Sequence, residues 1–182
     1  GYRLWAGDDC IGAEVVVNAA GLASDRVAAM AGLDVDALGY RLRYSRGEYF
    51  QLRRPVGVSH LLYPLPGPGH LGVHLTLDLA GGQRLGPDAR DVEELDYAMD
   101  ERRRPLFLAA ARRYLPALQE EDLAPAYVGI RPRLAAAADG FADFIIAEES
   151  ARGLPGFVNC IGIESPGLTA CLAIGQAVVG LL

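Results

Sequence analysis

The chain has 182 residues, 51% hydrophobic and 22% charged, which suits a substantial folded core and excludes a disordered segment. Its formal charge of −6 argues against nucleic acid as a partner. All seventeen basic residues are arginine, which excludes a catalytic lysine or Schiff base within this chain.

Glu14–Gly21 holds a short β-branched run ending in small residues, predicting a buried strand that emerges into a tight loop. The small residues of Asn18-Ala19-Ala20-Gly21 admit close approach of a ligand, or equally tight packing of helix on strand. Ser24 and Asp25 open a helix over Arg26–Ala31 that Gly32 closes. From Tyr40 to Leu85 the pattern becomes antiparallel: a long strand over Tyr40–Arg54, with Gly47 as a bulge or close-approach point, then His60–Pro64 and Leu71–Leu79. Gly81-Gly82 begins a hairpin return. Asp91–Arg104 and Pro105–Tyr114 read as helices split by Pro105, with acids early and arginines late in the first. Ala126–Ala135, Gly140–Ala147 and Phe157–Asn159 read as strands.

The last strand runs into a glycine turn and a final helix, with Ser165 as its N-cap and Pro166 in its first position. The free N–H groups of such an end form a seat for negative charge; the alternative is an ordinary capped core helix. Ala170–Leu182 is too short to span a bilayer and reads as a core helix. Gly67-Pro68-Gly69-His70-Leu71-Gly72 satisfies G-x-G-x-x-G, but prolines precede it and a strand-like run follows, so it reads as a hairpin turn. Cys10, Cys160 and Cys171 lack metal-ligand spacing and read as reduced, mostly buried thiols, with a covalent cofactor link through Cys160 as the lesser alternative. The chain opens on Gly1 and ends on an apolar helix, and so reads as an excerpt.

Arg131, in Gly129-Ile130-Arg131-Pro132, places a guanidinium fork in an apolar strand, suited to a ligand carboxylate or to a structural acid such as Asp139 or Asp143. His74 alternates with Val73 and Leu75 and is a candidate base for a hydroxyl proton, or a satisfied structural histidine. Tyr49 and Tyr63 line a pocket or pack with their hydroxyls in water; Arg46, Tyr127, His60 and His70 have less support.

Taken in order, Val15–Gly21, Arg46–Tyr49, Tyr63-Pro64, Gly72–Thr76 with Gly86-Pro87, Gly129–Pro132, and Gly162–Thr169 with Leu172–Gly175 resemble the flavin-dependent oxidoreductases of the D-amino-acid oxidase family. The closer likeness is to its L-2-hydroxyglutarate dehydrogenase or oxidase branch. The resemblance implies an α+β fold: a mixed, largely antiparallel substrate-domain sheet with helices, plus strand and helix pieces of an FAD-binding α/β domain. Residues 1–38 and 129–182 would belong to the FAD-binding domain and residues 39–128 to the substrate-binding domain. It implies FAD as cofactor, with Ala20 and Gly21 near its ADP half, and Gly162, Ile163, Ser165, Pro166, Gly167 and Leu168 around the isoalloxazine ring. Arg131 would hold a small carboxylate substrate, His74 would act as base, and Tyr49 and Tyr63 would shape the pocket. The family's amino-terminal glycine fingerprint is absent from this sequence. The expected reaction is oxidation of a small 2-hydroxy acid of the 2-hydroxyglutarate type. The alternatives are an FAD-dependent amino-acid oxidase, or a non-catalytic binding domain if the chain is complete. The expected location is cytoplasmic, with membrane contact and the electron acceptor left open.

Overall fold

A computed structural model describes residues 1–65, 72–135 and 142–182. In chain order its strands are β1 (Tyr2–Ala6), β2 (Asp9–Ala13), β3 (Val16–Asn18), β4 (Leu42–Leu52), β5 (Leu75–Leu77), β6 (Gln83–Leu85), β7 (Arg90–Val92), β8 (Leu123–Leu134), β9 (Ile145–Glu149) and β10 (Leu154–Ile161). The α-helices are α1 (Ser24–Met30), α2 (Arg104–Ala111) and α3 (Cys171–Val179). Two units emerge, one of residues 1–44 and 131–182, the other of residues 45–130. No helix among the described residues is long and apolar enough to cross a membrane.

In the first unit β1 and β2 form a hairpin, and β10 lies between β3 and β9. β10 runs parallel to β3 and antiparallel to β9, which makes this sheet mixed. Ala28, Leu33, Val35, Tyr40, Leu42, Leu134 and Ile161 form its larger apolar cluster. α1 stops where Gly32, at φ 95°, takes the left-handed conformation that favours glycine.

In the second unit the sheet order is β5-β6-β4-β7, with β8 also paired to β4. β6 is antiparallel to both β5 and β4. The core clusters Phe50, Leu75, Leu85, Phe107 and Leu123 with their neighbours, and the Phe50 and Phe107 rings meet at a centroid distance of 4.8 Å. Gly47 is a close-approach point: a Cβ there would stand 2.7 Å from both the Asp88 carbonyl oxygen and Pro87 Cβ. The fold is thus α+β, with short helices and mixed or antiparallel sheets.

Several expected elements change. Asp91–Arg104 is not one helix: β7 covers Arg90–Val92, and a single 3-10 turn spans Glu101–Arg103. The intervening backbone is claimed by Arg46, whose guanidinium donates to Asp96 Oδ2 at 3.0 Å and to the Ala98 carbonyl. A carbonyl held outward by a buried arginine is lost to helical hydrogen bonding. His60–Pro64 contributes only an isolated bridge, Leu62 to Leu75. β3 is no buried strand, since Val17 is 43% exposed on a strand paired on one side only. α3 is likewise not a core helix in the described chain; Leu172 and Val179 are exposed, and only Val178 is buried. Cys160 is buried, but Cys10 and Cys171 are exposed, and all three are free thiols. The 67–72 glycine pattern lies outside the described residues except for Gly72, and His70 and Asp139 lie wholly outside them.

Candidate functional site

β3 ends on Asn18, directly opposite Asn159 of β10. Asn18 Nδ2 donates to Asn159 Oδ1 at 2.7 Å and to the Ser24 carbonyl at 2.8 Å, while its Oδ1 accepts from the Ala20 amide at 3.3 Å. Asn159 Nδ2 in turn donates to Glu149 Oε1 at 2.8 Å. Tyr40 donates its hydroxyl to the same oxygen at 2.9 Å, and Arg152 reaches Glu149 Oε2 at 2.7 Å. A fully buried carboxylate is therefore satisfied on every side, as burial of charge demands. Burial first, then the hydrogen bond to Glu149, pushes the Tyr40 hydroxyl up to about 12. The outcome is a fixed Asn18–Ala20 corner leading into Gly21, beside which a Cβ would meet open space. Sequence reasoning singled out Ala20 and Gly21 but missed this network. Two asparagines on different strands carry no pattern until the strands are paired.

After β10 the chain turns at Gly162, where a φ of 70° and an added Cβ only 2.8 Å from Leu134 Cγ both favour glycine. Ile163 and Glu164 are half-buried, Ser165, Pro166 and Leu168 are exposed, and Gly167 is buried. Ser165 is not the N-cap. The Gly167 amide donates to the Glu164 carbonyl and the Ala170 amide to the Pro166 carbonyl, forming turns, and α3 begins at Cys171 with Ala170 as its cap. The bond from the Ile174 amide to the Ala170 carbonyl is where helical pairing takes over. Cys160 sits among Val158, Val178 and Ile146, with its thiol pushed up by burial, the opposite of an activated attachment point.

Arg131 on β8 faces Glu164 of this turn: Arg131 Nη1 lies 3.5 Å from Glu164 Oε2. Among the described residues Glu164, and not Asp143, is its acidic partner. Arg133, two residues along the strand and missed by sequence reasoning, places Nε 3.4 Å from Glu164 Oε1. Strand alternation puts positions 131 and 133 on one face, and that period was the available signal. One carboxylate thus stands between two half-buried guanidiniums, and its Oε2 is buried without a hydrogen bond.

In the second unit, His74 and Thr76 are half-buried while Val73 and Leu75 are buried, matching the expected alternation. The His74 ring stacks on Tyr63 at a centroid distance of 4.1 Å and 25° between planes. Its backbone carbonyl accepts from the Gly86 amide at 2.9 Å, anchoring the segment that precedes β5. Tyr63 is 62% exposed and also lines an open hollow of about 320 Å³ with Leu62, Pro64, Leu65, Arg113 and Tyr114. Tyr49 stacks on Tyr127 at 4.5 Å, and the Arg84 guanidinium lies 5.9 Å from the Tyr127 centroid. Arg46 is structural: with Arg90 it encloses Glu48, whose Oε1 is 3.0 Å from Arg46 Nη2 and 2.6 Å from Arg90 Nη2. His60 contacts Ser59 Oγ at an exposed site.

One parallel strand pair, β3 with β10, thus opens into a small-residue loop, and two arginines of β8 converge on one carboxylate. The chain belongs to the FAD dependent oxidoreductase family, whose model matches residues 2–181. It is 40% identical over 175 residues to the mitochondrial L-2-hydroxyglutarate dehydrogenase of Arabidopsis thaliana, covering 89% of this chain and 36% of that protein. It is 31% identical to the glycerol 3-phosphate dehydrogenase of Caloramator mitchellensis, covering 100% of this chain and 36% of that protein. Among solved structures it is similar to the FAD-bound L-α-glycerophosphate oxidase of Mycoplasma pneumoniae, with a TM-score of 0.75 and 28% identity over 93% of this chain and 42% of the other. The chain therefore spans about a third of the length of these two curated relatives. A Cβ added at Gly21 would meet nothing within 4 Å, and Ser165, Pro166 and Leu168 of the turn are exposed, so both places have room for a ligand.

Proposed function

We propose that the protein carrying this chain oxidises a small 2-hydroxy acid, of the 2-hydroxyglutarate type, with FAD as its cofactor. The observation that carries this reading is Arg131, half-buried on a sheet strand beside the turn that begins at Gly162. A guanidinium in that setting offers a planar fork to a carboxylate, and partial burial strengthens the pairing. The 40% identity to a protein named L-2-hydroxyglutarate dehydrogenase supports the choice of acid.

Ala20 and Gly21 would hold the adenosine side of the cofactor, and Gly162, Ile163, Ser165, Pro166, Gly167 and Leu168 the ring. FAD, when bound, supplies the acceptor for the hydride on the substrate's α-carbon. Arg131 binds and orients the substrate carboxylate. A ring nitrogen of His74 takes the hydroxyl proton, so that departure of the hydride leaves a carbonyl and the product is a 2-oxo acid. Stacking on Tyr63 fixes the imidazole plane for that transfer, and Tyr49, held by Tyr127, shapes the wall.

The test is His74→Gln with 2-hydroxyglutarate as substrate. A general base contributes about 10²–10⁴-fold, so kcat should fall by about that factor while flavin absorbance is retained. Undiminished turnover removes His74 from the mechanism. A second hydroxyl-bearing substrate, glycerol 3-phosphate, is favoured by the 31% identity across the whole chain to a protein of that name.

A further inference from the structure

We propose that Arg133 is a specificity-determining residue that acts with Arg131 to select a substrate bearing two negative charges, a dicarboxylate or a phosphate monoester. The inference rests on the reading of Arg131 as the carboxylate anchor and extends it to the rest of the substrate.

Positions 131 and 133 lie two apart on β8, so their side chains leave the same face with origins about 6.5–7 Å apart. The two carboxylates of a five-carbon diacid are separated by a comparable span, and a phosphate dianion can bridge two converging guanidiniums. Both arginines are about one-third exposed, at 34% and 31% of their side chains, so each is partly desolvated yet open to a ligand. Among the described residues each has only Glu164 as a partner, through Nη1 of Arg131 and Nε of Arg133. Among the described residues nothing else accepts from the remaining N–H groups of either fork.

Glu164 is the second observation. Its distances of 3.5 and 3.4 Å exceed good charge-assisted hydrogen bonds, and its Oε2 is buried with no hydrogen bond at all. A carboxylate so poorly satisfied is a weakly held occupant of the space between two cations. An incoming anion exchanges for it, carboxylate for carboxylate, at little electrostatic cost. Two forks and one weak internal anion suit a ligand with two anionic ends better than a ligand with one, because a monoanion leaves Arg133 to Glu164.

The experiment uses the holoenzyme with 2-hydroxyglutarate and glycerol 3-phosphate as dianions and lactate and 2-hydroxybutyrate as monoanions. Arg133→Met should lower kcat/KM for whichever dianion is oxidised by about 30-fold, or about 2 kcal/mol at 1.4 kcal/mol per tenfold, mainly through KM. It should leave the monoanions within about threefold, and Arg133→Lys should restore part of the loss. Glu164→Gln should lower KM for the dianion by removing the competing carboxylate. Equal losses on dianions and monoanions, or a raised KM in Glu164→Gln, overturn the proposal. Thermal shifts with glutarate, glycerol 3-phosphate and butyrate give a reading independent of turnover. Stabilisation by a dianion but not butyrate, abolished in Arg133→Met, supports the arginine pair even if hydroxy-acid oxidation fails. Equal shifts from all three in the wild-type chain refute it even if 2-hydroxyglutarate is oxidised.

Discussion

Glu48 carries its carboxylate at zero exposure between Arg46, itself 6% exposed, and Arg90. Its Oε2 has no hydrogen bond, so the site depends on ionic attraction to two guanidiniums rather than on full hydrogen-bond satisfaction. Removing one partner of such an arrangement strands the others in low dielectric, which costs roughly 3–5 kcal/mol. Glu48→Gln should therefore lower the unfolding free energy by that amount, seen as a lower urea midpoint at an unchanged denaturation slope. A loss under about 1 kcal/mol would show that water reaches the site freely. From the sequence alone Arg46 is a candidate for the pocket. Its role as the hub that holds Asp96 and the Ala98 carbonyl is a long-range pairing, and no local pattern announces it.

α3 offers the clearest test of how an element begins. Ser165-Pro166 has the composition of a helix start, yet the turns between Glu164 and Ala170 delay the helix to Cys171. A true N-cap serine contributes about 1 kcal/mol, so Ser165→Ala should shift stability by less than about 0.5 kcal/mol. A thermal melt showing the full capping loss would restore Ser165 as the cap. Strands and helices with strong local signals were legible: the β-branched run before Asn18, the Gly32 stop after α1, the long alternation that became β4, and the Gly81-Gly82 return between β5 and β6. The helix expected over Asp91–Arg104 failed because charge placement suited a helix while a buried arginine elsewhere required that backbone. The hairpin β1–β2 left no distinct cue, since Asp9–Ala13 alternates poorly. At the site, Arg131 and the Gly162–Leu168 turn were visible as motifs. Arg133, Glu164 and the two asparagines became visible only when strands and turn were brought together.

At the scale of the molecule, each unit has its own apolar cluster, and each contains a tyrosine whose hydroxyl is pushed up to about 12. Burial and Glu149 push Tyr40 up to about 12, and burial alone does the same for Tyr114, whose hydroxyl donates to the Val73 carbonyl at 2.8 Å. The unfolded chain ionises its tyrosines near pH 10. The folded chain keeps these protons longer, so their stabilising contribution is complete below pH 10 and is lost as pH rises through about 12. Replacing both with phenylalanine should flatten the fall in stability between those values, measured by denaturant melts across the alkaline range. An unchanged profile would mean that neither hydroxyl is held protonated by the fold. The Tyr40 network has a second consequence, for assembly. β3 offers only three residues to β10, too few for apolar pairing alone to distinguish one alignment from the next. Sliding β3 by a single position would set Asn18 against Val158 or Cys160 and leave the two carboxamides without each other. A chain that pairs these strands wrongly is penalised at once, so the asparagines act as a key that admits one alignment of the sheet.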